Sequence, residues 1–218
     1  MSTTTEVLRD WQGAKLCQRA VESLKRRGFK AKYFATSAEA REYILDEARA
    51  AKTIGCGGSL SMTEAGVYEA IQALGKKIMN HSTEGLSPEE KLEIRRAQLT
   101  CDLFLSGINA LTADGEIVNI DGVGNRVAAT IFGPKMVIML AGRNKIVEGT
   151  LEEAVKRAKN VAAPMNAERL GCKTPCVTTG KCENCLSPEN ICRVTAVFSR
   201  PPKMTDIRVL IVNEDLGL

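Results

Sequence analysis

The sequence predicts an α/β sandwich with a mostly parallel sheet. Two patterns carry that expectation. Short strand-like apolar runs alternate with segments of three- and four-residue period. Helix-start signals also recur between those runs. No repeat or low-complexity stretch interrupts the alternation, and the 218 residues are expected to form one domain, 1–218. That length buries a core without disulfide staples.

Val7, Leu8, Trp11, Ala14, Cys17, Val21 and Leu24 recur at helical spacing, and Gly28 after Lys25-Arg26-Arg27 reads as a stop. A short strand is expected over Lys32–Ala35. Ser37 then caps a helix with Ala40, Ile44, Ala48 and Ala51 on one face. Thr53–Gly55 reads as a strand entering the glycine loop Gly55-Cys-Gly-Gly-Ser59. Ser61-Met-Thr-Glu64 matches a capping box for a helix to about Gly75. A strand follows over Lys77–Asn80. Ser87-Pro-Glu-Glu90 is a second capping box with Pro88 in the first turn, for a helix turning Leu92 and Leu99 inward and showing Arg95 and Arg96. Asp102–Ser106 reads as a buried strand, and Asp114-Gly115 as a hairpin turn. Asn119–Arg126 is a polar glycine loop that opens the next helix, and Met136–Ala141 is the most apolar strand. Thr150, with Glu153 three residues on, caps a helix ending near Leu170; Val194–Phe198 and Arg208–Val212 are the last strands.

Composition excludes several classes. Hydrophobic residues are 44% and charged residues 26%, which is globular. A net charge of +4 is too mild to predict nucleic-acid binding, and 4% aromatic residues leave little for base stacking. No apolar run approaches a membrane span. Residues 1–6 carry neither a basic nor an apolar leader region, so no signal peptide is expected and a cytoplasmic location is.

Ligands of open parallel sheets bind beyond the carboxyl ends of the strands. The polar candidates fall there: Cys56–Ser59, then His81, then Asn109, then Arg143–Lys145. Gly57, Gly58 and Ser59, with Thr63 and Glu64, form a loop and helix start suited to an anion. Glu64 is better explained as the capping-box acid. Asn119, Asp121, Gly122, Asn125 and Arg126 form the second dense loop, where Arg126 offers a bidentate grip on phosphate or carboxylate. His81, the sole histidine, stands where an acid or base is useful. Cys56 flanks a helix start but has no second histidine to pair with. The expected ligand is a small anionic metabolite.

Three of the eight cysteines are scattered, while Cys172, Cys176, Cys182, Cys185 and Cys192 sit together. A tight group without an export signal favours a reduced compartment and a thiolate metal site over a disulfide framework. Cys182-Glu-Asn-Cys185 is one CxxC. A zinc ribbon wants two such knuckles, and the gaps fit no ferredoxin run, so the spacing leaves the metal open.

The run Cys101-Asp-Leu-Phe-Leu-Ser-Gly-Ile-Asn-Ala-Leu-Thr-Ala-Asp-Gly-Glu-Ile-Val-Asn-Ile-Asp-Gly-Val-Gly-Asn-Arg126 resembles the central signature of the LUD-domain (lactate utilisation) family. Gly57-Gly58-Ser59 with Thr63-Glu64, then Asn144-Lys145, Ala163-Pro164 with Asn166 and Arg169, and Thr174 through Cys192 and Glu214–Gly217 fit the same pattern. The resemblance implies a NagB/RpiA/CoA-transferase-like three-layer sandwich. It also implies a metal or iron–sulfur centre on Cys176, Cys182, Cys185 and Cys192, within a cysteine-rich segment 172–192, with Cys172 supplementary. Some members of the family serve oxidation of lactate to pyruvate beside partner subunits that carry iron–sulfur clusters. This chain looks more like the stand-alone members. A redox role in 2-hydroxy-acid utilisation, with a redox partner protein or a second copy, is therefore the leading expectation. An isomerase or transferase on a phosphorylated or carboxylated metabolite, and a zinc-stabilised regulatory or scaffold module, are the alternatives. A fainter similarity to methylthioribose-phosphate isomerases places Asn109 near the position of an aspartate in those enzymes.

Overall fold

The computed structural model describes residues 3–218; Met1 and Ser2, part of the segment read as lacking an export signal, lie outside the described residues. The elements are α1 (Thr4–Arg26), β1 (Lys30–Phe34), α2 (Ser37–Ala50), β2 (Ile54–Cys56), α3 (Leu60–Glu64), α4 (Val67–Ala73), β3 (Ile78–Met79) and α5 (Pro88–Gln98). There follow β4 (Leu103–Gly107), β5 (Ala110–Thr112), β6 (Ile117–Asp121), α6 (Asn125–Ile131), β7 (Met136–Gly142), β8 (Ile146–Val147) and α7 (Leu151–Arg157). A π-helical turn, Ala158–Ala162, continues α7 into α8 (Ala163–Arg169), and α9 (Pro175–Thr179), β9 (Val194–Phe198) and β10 (Asp206–Val212) complete the chain.

The main sheet has six strands in the order β1-β10-β7-β4-β2-β3, all parallel. Its strands are apolar on both faces because both faces are covered. Leu103, Leu105, Ile138, Leu140, Leu210 and Val212 meet Ile44 and Ala48 of α2 and Val67 and Ile71 of α4. The alternate residues, Phe104, Val137, Met139, Val209 and Ile211, meet Cys17, Ala20 and Leu24 of α1 and Ala129 of α6. The expected α/β sandwich with a mostly parallel sheet is thus present.

A second sheet, ordered β8-β5-β6-β9, covers part of the same side. Its Leu111, Ile117 and Phe198 join the core beneath it. Ala110, Val118 and Ile120 point the other way, onto Ala154 and Ala158 of the α7–π segment. The Asp114-Gly115 turn does join antiparallel strands, β5 and β6, and Gly115 has φ +88°. Among the described residues no helix is long and apolar enough to cross a membrane.

Several local expectations change. Thr36, not Ser37, caps α2, its side chain accepting from Glu39 N. The Ser61–Glu64 capping box is absent: Ser59 caps α3, and the helix stops after five residues at the left-handed Gly66. The boxes at Ser87/Glu90 and Thr150/Glu153 form as expected. Val7, Leu8, Trp11 and Leu92 keep helical spacing yet stand exposed, because α1 and α5 extend past the surfaces they pack on. Asn119–Asp121 belongs to β6 rather than to the loop.

Candidate functional site

The carboxyl ends of β2, β4 and β7 open onto one cavity of about 380 Å³. Gly57, Gly58, Ser59, His81, Asn109, Asp121, Gly122, Asn125, Arg126 and Lys145 all line it. The parallel register explains this: adjacent strands leave the sheet at the same edge, so their following loops meet. Thr63, Glu64 and Asn119 are not on its wall. Thr63 Oγ1 donates to Ser59 O, and Glu64 Oε2 accepts from Gly217 N. Asn119 is fully buried behind the wall, where its Oδ1 accepts from Asn109 N at 3.0 Å and Arg126 Nη1 at 3.3 Å.

Arg126 is the brace of the cavity. It donates to Asn109 Oδ1 at 2.9 Å and to Ile120 O, and lies 3.9 Å from Asp121 Oδ2. A Cβ on residue 57 would come within 2.8 Å of Arg126 Cγ, so only glycine lets the guanidinium's stem cross the loop. Gly58 has φ +73°, a conformation that other residues rarely adopt. The loop itself contributes little helix-dipole charge, because α3 is a short helix.

Side chains supply the charge instead. Lys91, Arg95, Arg126, Lys145 and Arg169 line the cavity against one acidic side chain, Asp121. Lys91 and Arg95 form no ion pair among the described residues, and Arg95 Nε is buried without a hydrogen-bond partner there. Arg169 is held by Asn166 Oδ1 at 2.7 and 3.0 Å. An uncompensated set of this kind is a standing attraction for an anion.

Lys145 is 4% exposed, and its Nζ donates to Ser61 Oγ at 2.7 Å. Burial first, then the guanidiniums of Arg157 and Arg126, lower its pKa to about 7 against the opposing pull of Glu64. His81 Nδ1 lies 3.3 Å from Gln98 Nε2, and burial, then Arg95, hold the imidazole below its ordinary value. Cys56 is buried and its thiol is pushed up to about 11, which removes it as a thiolate nucleophile.

All eight cysteines are free, and Cys176, Cys182, Cys185 and Cys192 line a second cavity of about 650 Å³. Cys172 is not on its wall. Thr174 Oγ1 lies 3.2 Å from Cys176 Sγ; Asn184 N donates to Cys182 Sγ and Asn190 Nδ2 to Cys185 Sγ, each at 3.4 Å. Hydrogen bonds of this kind steady thiolate ligands. Four free thiols facing one space are the donor type that iron–sulfur groups use. Among the described residues no three His, Cys, Asp or Glu side chains are close enough to hold one metal ion. A single zinc would need its sulfurs drawn to about 2.3 Å. The two cavities share Ala163, and Ile191, beside Cys192, lines the first.

The family model for the LUD domain matches residues 17–212. The chain belongs to the LUD-domain family. Its fold is similar to that of a DUF162 family protein from Deinococcus radiodurans, with a TM-score of 0.53 and 15% identity over 92% of this chain and 98% of that one. No curated protein matches the sequence. The LUD match takes in the whole cysteine segment and both cavities except Leu218.

Sequence reading of this LUD domain missed Lys91 and Arg157 as site residues and treated Arg95 as a displayed surface charge. Arg157 donates to Asn109 O at 2.6 Å and Asn144 O at 3.0 Å, joining both loops. The available signal was the spacing of Lys91 and Arg95, four apart on one helical face.

Proposed function

We propose that this LUD domain binds a small carboxylated or phosphorylated metabolite in the cationic cavity, beside an iron–sulfur centre on Cys176, Cys182, Cys185 and Cys192. Its role in that reading is redox, in the use of lactate or another 2-hydroxy acid, with electrons passed to a partner protein. The observation that carries its anion site is the charge of the cavity wall, where Lys91, Arg95, Arg126 and Arg169 face one acidic side chain, Asp121. Arg95 and Lys91 bind the anion, Arg126 holds Asn109 in place, and Thr174, Asn184 and Asn190 orient the thiols. A bound cluster supplies one-electron transfer. The shared Ala163 wall supports nearness of the two sites.

Anaerobic purification with iron and sulfide analysis and a visible spectrum tests the centre. Iron and sulfide in near-equal amounts with a brown chromophore are expected. Zinc in their place would leave a structural module, and metal-free protein would remove the redox reading. Thermal shift with lactate, 2-oxo acids and sugar phosphates tests the cavity, with stabilisation by at least one expected.

A second reading, isomerase or transferase chemistry on the same class of metabolite, is favoured by Lys145. A buried amine in a ligand cavity is chemistry that electron transfer does not require.

A further inference from the structure

We propose that Lys145 forms an imine with a carbonyl-bearing anion, a 2-oxo acid or a phosphorylated aldehyde or ketone, held in the cationic cavity. The proposal rests on the anion-binding reading above and adds the reacting atom. Lys145 stands at the end of the short turn that follows β7, so its backbone is fixed at the sheet's carboxyl edge. The residue is buried and lines the cavity. Its Nζ has one hydrogen-bond partner, Ser61 Oγ at 2.7 Å, and forms no ion pair among the described residues. Ser61 spends its own hydrogen on Leu216 O at 3.2 Å, so it accepts from Nζ and has no proton to return. A neutral amine in this position keeps its lone pair unshared.

The charged groups that bear on Nζ are Glu64 from α3, Arg126 from α6 and Arg157 from α7. The two guanidiniums outweigh the carboxylate, and with burial they leave much of the amine uncharged near neutral pH. An ordinary lysine offers almost no free base there.

The step balances without an oxidant or reductant. The Nζ lone pair attacks the carbonyl carbon, the carbonyl π pair moves to oxygen, and that oxygen gains a proton as nitrogen loses one. The C–O bond of the carbinolamine then breaks, water leaves and the imine remains. A proton taken from solvent makes it an iminium, which acidifies the neighbouring C–H bond. Arg95 and Lys91 fit the substrate's anionic end, as the unpaired cations of the wall.

The test uses the full chain with pyruvate, glyoxylate or glycolaldehyde phosphate, each with and without sodium cyanoborohydride. Intact mass and peptide mapping read the trapped product. The expected adduct is at Lys145, heavier by the mass of the probe less one oxygen, and preferred at least about tenfold over any surface lysine near pH 7. Trapping should rise through about pH 7 and level off, where surface lysines continue to gain. Lys145→Arg should abolish that adduct. An adduct confined to pyruvate and glyoxylate assigns a 2-oxo acid; one confined to glycolaldehyde phosphate assigns a sugar phosphate. Stabilisation of the wild-type chain by a probe, with no adduct at Lys145, overturns the imine and leaves the anion site standing. Neither stabilisation nor adduct overturns both. Mapping of the wild-type chain decides the matter even where Lys145→Arg fails to fold.

Discussion

The two cavities are built differently. The cationic one is walled by loops that leave the strands of the covered sheet and by faces of α5, α6 and the π-helical turn running into α8, and its central arginine is tied to Asn109, Asn119 and Ile120. The thiol one is walled mostly by turns and the five-residue α9, with Lys159 and Ala163 closing one side; its cysteines are half-buried and Leu186 beside them is 98% exposed. A cavity set by the core spends little of its ligand's binding energy on ordering. A cavity made of turns spends part of that energy on gathering its own donors. The first should therefore fail with the fold, and the second should fail alone.

Removing core support gives the largest expected effect. Phe104 is fully buried, and Phe104→Ala should cost about 3–5 kcal/mol in urea denaturation. Leu186→Ala, on the thiol side, should stay within about 0.5 kcal/mol. Equal costs would end the contrast.

Next comes pH. The folded chain holds the Lys145 amine near 7, below its value in the unfolded chain. Between those values the unfolded state binds more protons, so stability should rise with pH from about 7 toward about 10.4, by up to about 1.4 kcal/mol per unit. The gain is complete above that window and absent below it. Lys145→Met should flatten this slope in denaturation curves measured across the range. An unchanged slope would mean that the amine is hydrated rather than buried.

Arg95→Ala separates binding from folding. It loses no ion pair among the described residues, so stability should move by less than about 0.5 kcal/mol. Affinity for a stabilising anion should fall about tenfold, or about 1.4 kcal/mol, by calorimetric titration. The smallest shift is expected for Cys182→Ser in metal-free protein, under about 0.5 kcal/mol, while the iron content of anaerobically purified protein drops. A large destabilisation of the metal-free form would show the segment to be core after all.

The fold was legible wherever its causes are local. The apolar run at Met136, the Asp114-Gly115 turn and the Ser87/Glu90 box each carry their own hydrogen-bond or burial logic within a few residues. The anion cavity was legible as loops, since strand ends locate them. Its charge was not. Whether Arg95 faces water or a ligand depends on where α5 lies, and a helical pattern does not report that. Ser61 and Glu64 show the same limit: a local box is a fair reading, yet their partners, Lys145, Leu216 and Gly217, are far away in the chain. Val7 and Trp11 carry the periodicity of a buried face yet stand exposed among the described residues.

The position of β10 has a consequence for how the molecule comes into being. This strand is the tenth made, yet it lies between β1 and β7. During synthesis, β1 has no neighbouring strand to pair with until β10 has been made. Four strands, β7, β4, β2 and β3, can emerge and pair while the first waits, its apolar side open to chaperones or to another nascent copy. Such late closure by distant segments slows folding relative to a sheet assembled in order.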